Sequence, residues 1–226
     1  MSLQRTQKIR VLVTLGPTRA FLDSVRYLSN YSTGELGSEI AKLLVKQGFE
    51  VAVIAGPVQF DLKKLGVKKI EQIVTVEEML HATLSLCETF KPHYFLPAAA
   101  VLDFVPQKSQ TGKVSSKKKY WKIKLIPTKK IIDEVQKKFP KIKKFGFKLE
   151  AASYSAEKNR LYAEKIMKKK KLEGLCLNFL NQISASQHPA TLFFKDGSEI
   201  TSVQVSSKTQ IAQKIVQFLK RYPNND

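Results

Sequence analysis

The chain has 226 residues, 43% of them hydrophobic, with 39 Lys and Arg against 19 Asp and Glu and a formal net charge of +20. This composition supports a real core in one large domain or two small ones. There is no 18-residue apolar run and no apolar leader, and three scattered histidines with two isolated cysteines (Cys87, Cys176) offer no metal-ligand spacing or disulfide pair. The expectation is a soluble, unexported protein of a reducing cytoplasm.

Residues 10–16 (RVLVTLG) form a β-branched run that breaks at Gly16-Pro17 and predict a buried strand. A polar loop follows, and then a helix with Leu36, Ile40, Leu43 and Leu44 at three- and four-residue spacing, ending near Gly48. Residues 50–56 and 68–74 predict further strands. Thr75 and Glu78 have the spacing of a capping box for a helix through Leu86. Residues 93–101 (HYFLPAAAV) predict another buried strand. Beyond residue 104 the pattern changes: 105–120 is rich in Lys, Ser and Gln without periodicity, and predicts a mobile flap or exposed hairpin. Residues 121–127 alternate like a half-solvated strand, and Thr128 is placed to cap a helix to about Lys138. A strand at 144–150, a lysine-rich helix to about Lys171 and a strand at 174–180 come next. The chain closes with a hairpin at 191–203 turning on Asp196-Gly197 and a helix over 207–221.

Strand, loop, helix and strand in this rhythm predict an α/β class: a Rossmann-like three-layer fold with a mainly parallel central sheet, a flap and a C-terminal β-hairpin, in a single domain over 1–226. Ligands of such sheets sit beyond the carboxyl ends of the strands, which selects the loops after residue 16 and after residue 100. In the first, Gly16 and Gly34 permit close approach of backbone N–H groups to an anion. Ser32 and Thr33 can cap the following helix or donate to phosphate, and Arg19 and Arg26 can fork onto phosphate or carboxylate. In the second, Ala98, Ala99 and Ala100 leave room for a flat ligand, Asp103 can accept from an amino or hydroxyl group, and Lys113 lies ten residues on in the flap. The lysine runs at 117–119 and 168–171 suit nucleic acid, small polyanionic substrates or solvated helix faces, and no RNP-like pattern, zinc finger or basic zipper accompanies them.

In combination, VTLGPTRAFLDSVRYLSNYSTGELG (13–37), AAAVLDF (98–104) and the flap lysine resemble the phosphopantothenoylcysteine synthetase family of coenzyme A biosynthesis, in its stand-alone form. The resemblance implies a ligase. The carboxylate of 4′-phosphopantothenate attacks the α-phosphorus of a nucleotide, CTP with Mg²⁺ in bacterial forms. The amine of L-cysteine then takes the acyl group and releases the nucleoside monophosphate. It implies that Asn30 holds the acyl intermediate through its amide and that Arg26, one helical turn earlier, serves acyl transfer. Gly16, Thr18, Ser32, Thr33 and Gly34 match phosphate-facing loops, and Ala98, Ala99 and Ala100 the nucleotide-side backbone. Asp103 and Lys113 match a nucleotide-reading aspartate and a flap lysine. Ile131, Ile132, Phe147 and Lys170 match further nucleotide contacts. The family's dimers imply a homodimer, without membrane or nucleic-acid partners and without a tightly bound cofactor or a protein-held metal. Departures from the family pattern are Pro17 for a glycine, Ala20 for a glutamate, Lys113-Val-Ser-Ser for a more basic flap, and Lys129-Lys130 for a Pro-Asp pair. Two other readings of the chain are a dinucleotide-dependent oxidoreductase, whose GxGxxG is absent, and a basic nucleic-acid-binding protein.

Overall fold

The computed structural model describes residues 8–184 and 187–221. Strand β1 (Arg10–Leu15) leads into a short hairpin, β2 (Arg19–Phe21) and β3 (Tyr27–Ser29), and then α1 (Glu35–Lys46) and β4 (Glu50–Ala55). A 3₁₀ turn at Leu62–Leu65 precedes β5 (Lys69–Gln72), α2 (Val76–Thr89) and β6 (Tyr94–Pro97). The arm strands β7 (Phe104–Pro106) and β8 (Leu125–Pro127) come next, followed by α3 (Ile131–Lys138), β9 (Lys143–Glu150), α4 (Ala156–Lys170) and β10 (Gly174–Phe179). A 3₁₀ turn at Leu180–Gln182, β11 (Ala190–Asp196), β12 (Glu199–Val205) and α5 (Lys208–Arg221) close the described chain.

Eight strands form one sheet in the order β12-β11-β10-β9-β6-β1-β4-β5. All neighbours from β5 to β10 are parallel, while β11 and β12 add an antiparallel hairpin at one edge. Taken in chain order, the parallel strands follow the doubly wound 3-2-1-4-5-6 arrangement, whose order reverses between β1 and β6.

Both faces of β1 are covered, which is why its sequence is apolar from Val11 to Leu15 apart from the buried Thr14. Val11, Val13 and Leu15 pack with α1 and α5 on one face, while Leu12 packs with α2 and α3 on the other. Ala163 and Met167 of α4 cover β10 in a separate cluster on that second face. Each fully buried Leu or Val contributes roughly 1.5–3 kcal/mol relative to exposure. Cys87 and Cys176 are buried free thiols inside these layers, and burial alone pushes Cys87 up to about 12.

The capping box forms as expected: Thr75 Oγ1 accepts from Glu78 N at 3.2 Å, and Glu78 Oε2 accepts from Thr75 N at 2.9 Å. Other expectations are corrected. The strand expected over 93–101 stops at Pro97, because residues 99–102 turn their backbone groups onto the first loop. Helix α3 starts at Ile131 with Lys130 as an N-cap lacking a side-chain bond; the Thr128 hydroxyl instead donates to Leu102 O at 2.8 Å. The strand expected at 121–127 is only β8, paired antiparallel with β7 as an arm. The C-terminal hairpin turns on Gly197-Ser198, since Asp196 is already paired with Glu199.

Candidate active site

The two loops selected by the sequence meet at the β1/β6 reversal and form one unit. Ala100 N donates to Gly16 O at 2.9 Å, Leu102 N to Thr18 Oγ1 at 3.0 Å, and Ala99 N to Thr14 Oγ1 at 3.4 Å. Thr14 and Thr18 are buried, so these hydroxyls complete the backbone bonding of the second loop. Pro17 bridges to Ala100 here, a place that needs no N–H from it.

Gly16 and Gly34 adopt φ of +76° and +77°. A Cβ on Gly34 would stand 3.1 Å from Gly16 N and 2.7 Å from the Val58 side chain. The helix start is thus pressed against the end of β1, where only glycine fits both the conformation and the space. Gly34 is itself the N-cap of α1 and carries no side-chain cap. The expected caps, Ser32 and Thr33, accept long contacts of 3.4 Å from Gly34 N and Glu35 N. Lys208 at the start of α5 pairs with Glu35 and holds that carboxyl below its usual range, so the acid in the first turn of α1 is neutralised.

Asn30 reaches across the crevice. Its Nδ2 donates to Val101 O at 3.0 Å and to Ala100 O at 3.4 Å, joining the two loops through a neutral amide. Arg26 does not lie one helical turn before it, because residues between them form β3. Its guanidinium forks onto Asp23 Oδ2 (3.0 and 2.5 Å), donates to Val114 O at 2.8 Å and stacks over Trp121 at 4.7 Å.

Asp23 was not among the expected site residues, yet it organises this corner. Its buried carboxylate also accepts from Val25 N (2.9 Å), Arg26 N (2.8 Å) and Val114 N (3.0 Å). Burial raises its pKa, but these donors outweigh burial and hold it well below the ordinary carboxylate range. A depressed pKa stabilises the fold above the unfolded value near 4, and that contribution is lost only as pH falls through the lower folded value. The only signal in the sequence is an aspartate three residues before Arg26. Asp23→Asn is expected to leave the sheet intact but release residues 112–114, read as faster amide hydrogen exchange at Val114; unchanged exchange would refute the tether.

Lys113 lies between two anchored neighbours. Gly112 O accepts from Ser24 N at 3.3 Å and Val114 is held as above, while the Lys113 ammonium carries no ion pair among the described residues. Asp103 pairs with Lys130 rather than with Lys113, which puts Lys130 at the start of α3 beside the crevice. The N–H groups of Ile131 and Ile132 open that helix and have no intrahelical acceptor. Phe147, on β9, packs against Phe145 at 5.5 Å. Lys170 ends α4 and is engaged by Asp133 at 2.6 and 2.7 Å. The structure therefore brings Gly16, Thr18, Asn30, Gly34 and Ala98–Ala100 together, and places Lys170 on a separate ion pair.

A doubly wound sheet with this loop pair has close relatives. The model of the DNA/pantothenate metabolism flavoprotein C-terminal domain matches residues 6–222. The chain belongs to that family. A crystal structure of the DNA/pantothenate metabolism flavoprotein from Streptococcus pneumoniae superposes with TM-score 0.78 at 26% identity, covering 95% of this chain and 100% of that one. The C-terminal domain of a coenzyme A biosynthesis bifunctional protein CoaBC gives 0.76 at 26% identity, covering 97% and 98%. Among curated sequences, the bifunctional CoaBC of Haemophilus influenzae is 31% identical over 224 residues, covering 97% of this chain and 53% of that protein. The chain spans about half the length of the curated relatives it matches. The doubly wound core is shared with these two structures at TM-scores of 0.78 and 0.76, and in this chain Pro17 bridges to Ala100 while Lys130 is the N-cap of α3.

Proposed function

We propose that this domain is a phosphopantothenate–cysteine ligase that uses CTP. The observation that carries the reading is Asn30, whose amide spans the two loops at the strand-order reversal in a chain of the CoaBC C-terminal domain family. The carboxylate of 4′-phosphopantothenate attacks the α-phosphorus of the nucleotide and pyrophosphate leaves. The cysteine amine then attacks the acyl carbon, and the nucleoside monophosphate departs. This chemistry asks for positioning and charge neutralisation more than for an acid–base pair.

In this reading Gly34 and the first N–H groups of α1 receive phosphate, with Ser32 and Thr33 free to turn their hydroxyls toward it. Ala98–Ala100 border the base and ribose, Asp103 and Lys130 read the nucleotide, and Phe147 and the Ile131 and Ile132 N–H groups complete that side. Asn30 holds the acyl group by exchanging its longer bond, to Ala100 O, for one to the intermediate. Arg26 and Lys113 neutralise phosphate charge from the edge of the arm. Mg²⁺ would arrive on the triphosphate, keep several of its waters and supply charge neutralisation there, without a protein-held metal site. The family reading further supports a cytoplasmic homodimer; no helix among the described residues is long and apolar enough to cross a membrane.

The deciding experiment supplies phosphopantothenate, cysteine and Mg²⁺ with either CTP or ATP and measures pyrophosphate and nucleoside monophosphate. CMP and pyrophosphate are expected in equal amounts. AMP release with ATP at the higher rate would reassign the nucleotide, and no release with either would sink the ligase.

A further inference from the structure

The crevice uses few of the 39 basic residues, and the fold shows where the others gather. In a parallel sheet each helix runs back against the strands, so α1–α5 all end at the amino edge, opposite the crevice. Helix C-termini leave unpaired carbonyls with partial negative charge, which nearby cations stabilise. That accounts for Lys46, Lys137, Lys138, Lys168 and Lys220 in last turns, and for Lys91 and Lys171 just beyond them. It does not account for Lys141 and Lys143, which lie after α3 and at the start of β9.

Backbone bonds knit this edge into a ledge: His93 N donates to Arg10 O (2.8 Å), Lys143 N to His93 O (3.0 Å) and Glu173 N to Lys144 O (2.8 Å). Across β6, β9 and β10 the ledge carries Lys91, Lys138, Lys141, Lys143, Lys168 and Lys171, all exposed except the half-buried Lys143. None of the six belongs to an ion pair among the described residues. Lys143 instead faces the Tyr94 ring at 5.6 Å.

A second observation is independent of charge. Lys91 and Lys171 have φ of +50° and +51°, and are the only non-glycine residues with positive φ among those described. Each follows a helix, α2 and α4, at the position where glycine is the usual choice. For a residue with a Cβ this conformation is disfavoured. Here both strained side chains are lysines, and both stand on the same ledge.

We propose that this ledge binds the phosphate backbone of a nucleic-acid duplex through Lys91, Lys141, Lys143, Lys168 and Lys171. Neighbouring strands lie roughly 5 Å apart, so β6, β9 and β10 together give the ledge the width of a few nucleic-acid phosphates. Tyr94 and Phe145 are buried beneath them, so the ledge has no exposed ring for stacking single-stranded bases. Among the described residues it also lacks an exposed large apolar side chain to enter a lipid surface. Recognition is therefore of backbone charge, without sequence preference, and is separate from the crevice.

The test measures fluorescence anisotropy of labelled 20-base-pair RNA and DNA duplexes with the full chain between 50 and 200 mM salt. For five phosphate contacts, log K is expected to fall with log salt with a slope of about −4 to −5. Lys91→Gly/Lys171→Gly is expected to reduce that slope by about 2 and weaken binding at low salt roughly tenfold. The same variant should raise Tm by about 2–4 °C as strain is relieved, with ligase turnover unchanged. Lys141→Ala/Lys143→Ala reads the same slope change without touching strained backbone. Lys63→Ala/Lys64→Ala, on the 3₁₀ turn away from the ledge, removes equal charge and should leave affinity within about twofold. The proposal is overturned by three results: no duplex binding at 50 mM salt, equal losses from ledge and control variants, or binding to phosphatidylserine vesicles that duplex does not compete.

Discussion

Asn30→Asp is expected to lower ligase turnover by roughly 10²–10³-fold, with only a small loss of stability. The side chain is exposed, so little packing is lost. The change replaces an amide donor by an acceptor facing two carbonyls, Ala100 O and Val101 O, which it previously bridged. It also adds negative charge where an acyl-phosphate must form, and the preorganised neutral donor is lost at the step that needs it. Steady-state pyrophosphate release, paired with thermal melting, separates the two effects. Turnover within a few-fold of the parent protein would remove Asn30 from the acyl-activation step.

Gly56→Ala should be the most damaging single methyl group in the chain. A Cβ on Gly56 would lie 1.8 Å from Pro17 O and 2.8 Å from Pro17 C, both backbone atoms that cannot rotate away. Overpacking of this kind costs about 1–3 kcal/mol, and more where backbone must shift. For a chain of this size, that lowers Tm by roughly 2–12 °C. The displaced segment is Gly16–Thr18, which carries the bonds to Ala100 and Leu102, so nucleotide binding should weaken along with stability. Melting and nucleotide titration on the same sample test this. An unchanged Tm would mean that β4 and the first loop are not in the close contact described.

The sheet was legible because β1 and β4 are largely apolar runs ending at Gly16 and Gly56, and such runs signal burial on both faces. The capping box at Thr75 was legible because both of its partners lie within four residues. What escaped depends on distant partners. Thr128 has the chemistry of a helix cap, but its hydroxyl is taken by Leu102 O, 26 residues away. Asp103 and Lys113 are spaced as a pair, but the nearer cation in space is Lys130. Asp23 looks like half of a solvated pair with Arg26; its burial rests on Val114 N, 91 residues on. The β2–β3 hairpin has three-residue strands, too short for any period to show. The site was therefore readable as a set of residues, and less so as a set of contacts.

One detail of the arm has a practical use. The chain contains a single tryptophan, and Trp121 lies under the Arg26 guanidinium, whose other contacts run to Asp23 and Val114. An indole beside a cation emits according to how close that cation remains. The protein thus carries its own optical probe at the junction of hairpin and arm, able to time the movement of that junction separately from bond making in the crevice.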